Sequence, residues 1–206
     1  MGTIKKGILG GFSGKVGTVV GGSWKGIAYM RGQAQSIKNP RSERQVAQRE
    51  KLKFIVKALR PFESIINLGF RHAGVSPMNA AVSYNIRNAV AGASPNYSLD
   101  YQYFVFSSGR LPSVIAAEAS GGSSAIAIDF ECVTGADTDI AVAVGINKTT
   151  NEVVVCEDAE NIRENASTTL TTPASWSGAQ VACYVFFKSA DGRDVSDSFY
   201  AGTATA

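Results

Sequence analysis

Gln180-Val181-Ala182-Cys183-Tyr184-Val185-Phe186-Phe187-Lys188 is the most hydrophobic stretch of the chain. A continuous apolar run rich in β-branched and aromatic residues predicts a strand at the centre of a β-structure. The sequence on either side has the same character. Ile126, Ile128, Phe130 and Cys132 alternate with Ala127, Asp129 and Glu131, the period of a half-buried strand. Ile140 to Ile146 and Glu152 to Cys156 flank a five-residue loop, Asn147 to Asn151, and predict a hairpin. Ser167 to Thr171 reads as a further strand. Asp191-Gly192 turns the chain into a last one, Val195 to about Thr203. The alternation of Tyr101, Tyr103 and Val105 with Gln102, Phe104 and Phe106 predicts a first strand at 101–106. About seven strands at regular spacing predict an immunoglobulin-like (Ig-like) antiparallel β-sandwich over 98–206. The Cys…Trp…Cys spacing of true immunoglobulin domains is missing, because Trp176 lies just before the last strands.

Residues 1–97 read differently. Lys15 to Val20 and Trp24 to Arg31 predict a β-ribbon turning at Gly21-Gly22-Ser23, with Trp24, Gly26, Ala28 and Met30 on one face and Lys25, Ile27, Tyr29 and Arg31 on the other. Ser42 and Gln45 have the spacing of a capping box, so a helix is expected from about Glu43 to Leu59. Leu52, Ile55, Val56 and Leu59 form its expected buried stripe, and Arg49, Lys53, Lys57 and Arg60 a basic ridge beside it. Short helices are expected at Pro61 to Phe70 and at Met78 to about Val90, with Ala91 to Asn96 as a linker or chain reversal. The predicted class is α+β: a β-ribbon plus short helices, 1–97, followed by the sandwich.

Charge is divided along the chain. Residues 1–72 hold fourteen of the twenty Lys and Arg and three acids, a formal +11, while residues 73–206 hold six Lys and Arg and fourteen acids, a formal −8. Such asymmetry points to partners rather than to fold. The cations expected to meet a partner or polyanion are Lys15, Lys25, Arg31, Arg41, Arg49, Lys53, Lys57 and Arg60, with Trp24 and Tyr29 as aromatic contacts.

Enzymatic chemistry finds little material. The sole histidine, His72, sits in a connector, so Ser-His-Asp and Cys-His arrangements lack a placed base. Gly14-Lys15 is followed by Val16 and a strand, not by the Ser or Thr and helix of a phosphate-binding loop. Asp137 and Asp139 read as a polar turn rather than a cation site. Cys132, Cys156 and Cys183 form no CxxC, and their odd number reads as three buried reduced thiols, with a Cys132–Cys183 disulfide as the alternative. No run approaches the ~18 apolar residues of a bilayer span, and no signal peptide is visible. The expectation is no enzyme, no cofactor, no metal, and a chain that is cytoplasmic as synthesised.

The block from Gly10-Gly11-Phe12-Ser13-Gly14-Lys15-Val16-Gly17 through Ser23-Trp24-Lys25-Gly26 resembles a known family. So do Asn39-Pro40-Arg41-Ser42 with Gln45 to Arg49, Asn79-Ala80-Ala81 with Tyr84-Asn85, and Ser196 to Thr203. The chain looks like the uncharacterised small proteins of Bacteroidota bacteria and their phages or mobile elements, a domain of unknown function. That resemblance implies no catalytic residues.

The expected function is therefore a non-enzymatic structural protein, a homo-oligomer or a subunit of a virion or other array, assembling through its basic N-terminal arm. A nonspecific nucleic-acid-binding protein is the alternative, and a surface adhesin module a third reading.

Overall fold

The computed structural model describes residues 2–4, 10–36, 39, 41–71, 74–122, 124–133 and 138–206. Lys5, Lys6, Lys38, His72 and Asp137 lie outside the described residues. The chain is mixed α+β and divides into two compact units, Met1–Ser42 and Glu43–Ala206.

The first unit is an antiparallel sheet in the order β1-β2-β3-β4. Its strands are Thr3–Ile4 (β1), Phe12–Val16 (β2), Val19–Trp24 (β3) and Ile27–Gly32 (β4). The β3–β4 turn is Lys25-Gly26, not Gly21-Gly22-Ser23. Both turn residues have positive φ, 49° and 82°, as the tightest right-twisted hairpins require. Gly21 and Gly22 lie inside β3, where their missing side chains make room for the rings of Phe12 and Tyr29.

Among the described residues the second unit holds three α-helices and three sheets, the smallest a two-stranded hairpin. The helices are Glu43–Leu59 (α1), Glu63–Gly69 (α2) and Pro77–Asn88 (α3). A hairpin follows, Val90–Ala93 (β5) with Asn96–Leu99 (β6), where only a chain reversal was expected. Then come Val114–Gly122 (β7), Ala125–Cys132 (β8), Ile140–Asn147 (β9), Val153–Ile162 (β10), Ser167–Thr171 (β11), Gln180–Lys188 (β12) and Phe199–Thr205 (β13). They form a three-stranded sheet, β11-β8-β7, and a four-stranded sheet, β10-β9-β12-β13.

β9 and β12 are buried on both faces. On β12, Val181, Cys183, Val185 and Phe187 join Ile126, Ile128, Phe130 and Leu170 in a core between the sheets. Ala182, Tyr184 and Phe186 point the other way, into a core with Ile55, Leu59, Phe62 and Ile66 of the helical segment. The helices therefore share a core with the sheet. The break in packing falls at Ser42, not at residue 97.

Helix α1 runs over the expected residues, but its buried stripe is rotated. Ile55 and Leu59 are fully buried, while Leu52 and Val56 are 45% and 39% exposed. The β5–β6 hairpin causes the rotation. Tyr97 Oη donates to the Ala47 carbonyl at 3.0 Å, its ring lies against Phe54, and Ser94 donates to Glu50. Those contacts turn the Ala47–Glu50–Phe54 side of the helix inward.

Residues 101–106 are not a strand. Tyr101–Tyr103 is a short 3₁₀ turn whose Gln102 N–H is taken by Asp100. The segment after it is held by side chains instead of a ladder. Buried Asn85 donates from Nδ2 to the Val105 carbonyl at 2.6 Å and accepts the Val105 N–H at 2.9 Å. The seventh strand of these two sheets is β7, which the sequence reading missed.

Below the sandwich, Arg163 is 3% exposed and pairs with Asp139 at 3.1 Å. It also donates to the Val133 and Pro112 carbonyls and lies 3.8 Å from the Phe187 ring centroid. Asp139, one of the two acids of the expected polar turn, is thus a buried anchor. The three cysteines are free: Cys183 is buried, and Cys132 and Cys156 are half-buried. Burial pushes the Cys183 thiol up to about 11, so it stays protonated at neutral pH.

Urea denaturation tests this packing. Asn85→Ala leaves both polar groups of Val105 unpaired and should cost about 2–4 kcal/mol. Ile55→Ala should cost about 2–5 kcal/mol. Leu52→Ala should stay within about 0.5 kcal/mol, as an exposed position does. A large loss at Leu52 would show that the helix sits in the rotation read from the sequence.

Candidate binding face

Directly opposed residues of an antiparallel pair share a face, and every second residue along a strand does too. In the ribbon, Lys15 opposes Val20 and Val20 opposes Arg31, so these three form one row across β2, β3 and β4. Gly22 opposes Tyr29 and Trp24 opposes Ile27 on the same face. That face therefore gathers Lys15, Arg31, Trp24, Tyr29 and Ile27. Lys25 joins them from the turn, with Nζ 4.9 Å from the Trp24 ring centroid. The sequence reading had put Trp24 opposite to Tyr29 and Arg31, because it treated Trp24 to Arg31 as one strand. The turn at Lys25-Gly26 reverses that relation.

The other face is partly covered by the chain itself. The Phe12 ring lies over Gly21, and Gly11 lies against Ala28. The cationic face is more open among the described residues. Trp24 is 53%, Ile27 69% and Tyr29 51% exposed. Among the described residues, every buried apolar side chain of the protein lies at or beyond Ile55. A thin sheet without its own core is marginal in water. Residues 1–42 carry seven Lys and Arg and no Asp or Glu, so the unit repels cations and attracts polyanions.

The remaining predicted contact residues fall elsewhere. Arg49, Lys53 and Lys57 on α1 and Arg60 in the 3₁₀ turn that follows it are all exposed, beside exposed Leu52 and Val56, and form a second basic face within the other unit. Lys57 borders a cleft of about 350 Å³ lined by Phe54, Pro61, Phe62 and Leu99. Arg41 is exposed and joins neither set. The sequence reading had Ile27 on the face of Tyr29 and Arg31, as found, but put Trp24 on the opposite face and left Val20 unassigned. The Lys25-Gly26 pair, a glycine-bearing two-residue turn, was the signal that would have placed them. Among the described residues no group of three His, Cys, Asp or Glu is arranged to hold a metal ion. No described helix is long and apolar enough to cross a membrane.

A family model described as a family of unknown function (DUF6266) matches residues 11–202. The chain belongs to that family. The match begins at Gly11, so it takes in most of the ribbon as well as the helices and the sandwich. The comparison with curated proteins and that with solved structures each returned no match.

The two tryptophans report separately on the two units, since Trp24 is half-exposed and Trp176 is 2% exposed. Acrylamide quenching of the dilute full chain should resolve one accessible and one shielded population, and Trp24→Phe should remove the accessible one. Equal protection of both would mean that the ribbon face is covered within a single copy.

Proposed function

We propose that this member of the family is a non-enzymatic structural protein. It assembles with further copies of itself, or docks in a larger multisubunit particle such as a virion, through the cationic face of its N-terminal ribbon. The observation that carries this reading is the ribbon's composition in space. Three cations, two aromatic rings and Ile27 share one exposed face on a unit in which no apolar side chain among the described residues is buried. Ordering such a sheet requires apolar surface to be removed from water, and a partner surface supplies the missing half.

The reading takes the sandwich as an Ig-like display body. Its strand order supports this: β7, β8 and β11 lie where strands A, B and E do, and β10, β9, β12 and β13 where C′, C, F and G do. A second reading, nonspecific single-stranded nucleic acid binding, is favoured by Trp24 and Tyr29 standing beside Lys15 and Arg31. Stacking is worth about 1–3 kcal/mol per base, and cations would track the backbone.

Sedimentation velocity of the nuclease-treated full chain at high micromolar concentration and moderate salt should show species larger than a monomer. A monomer under those conditions sinks the assembly reading. Tight, length-dependent gel shifts with single-stranded oligonucleotides, from a protein that stays monomeric, would establish the second reading in its place.

A further inference from the structure

We propose that the ribbon's cationic face docks on the outer face of the β11-β8-β7 sheet of a second copy, with Glu118, Asp129 and Glu131 as its acceptors. This rests on the assembly reading above and names the surface that receives the ribbon.

A second ribbon is the wrong partner. Residues 1–36 carry five Lys and Arg and no acid, so two ribbons repel each other. The receiving surface must be acidic, and several carboxylates of the body are already engaged. Asp139 holds Arg163, Glu157 holds Lys188, Glu152 accepts from Trp176 Nε1, and Asp197 accepts the Gly109 N–H. The outer face of the three-stranded sheet is different. Glu118 stands directly opposite Asp129, and Glu131 lies two residues along β8 on the same side. All three are exposed, and none forms an ion pair among the described residues. Like charges directly opposed across a ladder are destabilising. A cation delivered from outside relieves that repulsion.

The shape of this face agrees with a sheet as its occupant. Beyond the acidic row it carries Thr169, Ala127 and Ser120, then Thr171, Ala125 and Gly122. Small side chains keep it flat enough for another sheet to lie close. A shallow groove of about 350 Å³ opens between Ala116, Glu118, Asp129, Glu131 and Ala166, where an indole or guanidinium can enter beside the carboxylates. The spacings also match. Lys15 and Arg31 are two strands apart, about 10 Å. Glu118 and Glu131 are diagonal neighbours about 7–8 Å apart. Long basic side chains span the difference. Donor and acceptor surfaces are distinct, so the contact is heterologous and generates a ring or an open chain of copies.

Charge reversal with exchange tests the proposal. The acid-face variant is Glu118→Lys with Glu131→Lys. The ribbon variant is Lys15→Glu with Arg31→Glu. Each alone should weaken assembly by about tenfold or more in sedimentation velocity, since like charges would then face each other. An equimolar mixture of the two should reassemble, because each variant then offers what the other lacks. The acid-face variant should melt no lower than the unmodified chain, as it replaces a like-charge pair with an ion pair. Should it melt lower, Glu118→Gln with Glu131→Gln removes the charge without reversing it and should still weaken assembly. If the ribbon variant dissociates while both acid-face variants assemble normally, this docking face is wrong and the ribbon reading stands. If the unmodified chain is monomeric, both fall.

Discussion

Burial of β9 and β12 on both faces is the constraint on which the second unit depends. A strand with water on one side needs only one covering layer, but these two need two. The three-stranded sheet covers one side, and the helices with residues 104–106 cover the other. Gly145 shows how closely the layers approach. A side chain there would collide with Leu170 of the facing sheet. Tyr184 shows the same on the helical side. Its ring lies among Phe104, Phe106 and Tyr200, and its hydroxyl donates to the Tyr101 carbonyl at 2.7 Å. Burial raises its ionisation well above the ordinary tyrosine range, so the hydroxyl remains a donor.

Double burial also explains why residues 43–206 form one unit. The helices have no separate core. Ile55, Leu59, Phe62 and Ile66 bury themselves against Val142, Val144, Tyr184 and Phe186. Polar anchors fix the layers where apolar packing ends. Asn85 completes the backbone of Val105, and Arg163 ties the start of β9 to the loops at 112 and 133. Asn85 is paired through both amide atoms and Arg163 through Nη1 and Nη2, and removing one partner from such a buried arrangement strands the other.

Much of this was legible in the sequence, and the failures have physical causes. α1 was read at its true bounds because its capping signals are local. β8, β9, β11 and β12 were read because alternation or continuous hydrophobicity marks them. β7 was missed because Val-Ile-Ala-Ala-Glu-Ala-Ser-Gly-Gly has small side chains and little period-two contrast. The alternation at 101–106 misled because its aromatic residues pack around a 3₁₀ turn and an extended segment paired by side chains. The rotation of α1 was hidden because a hairpin at 90–99 supplies contacts that no pattern within the helix reveals. In the ribbon, Gly21-Gly22 looked like a turn. It is strand backbone whose missing side chains admit Phe12 and Tyr29.

The charge division reads differently once the packing is known. The basic helix ridge belongs to the same unit as the acidic strands, so the contrast is not between a helical head and a sandwich tail. It lies between residues 1–42, with seven cations and no acid, and the remainder, with thirteen cations and seventeen acids. The smaller unit is also the one in which no apolar side chain among the described residues is buried. A sheet that cannot bury its own apolar residues and repels its own kind cannot complete itself by pairing ribbon to ribbon. The layer we propose for it is flat, acidic and able to accept aromatic rings at its margin. The body of the same chain carries such a surface, where two strands hold opposed carboxylates together against their repulsion. The energetic deficits of the two surfaces are opposite in sign of charge, which is why the contact we propose would relieve both.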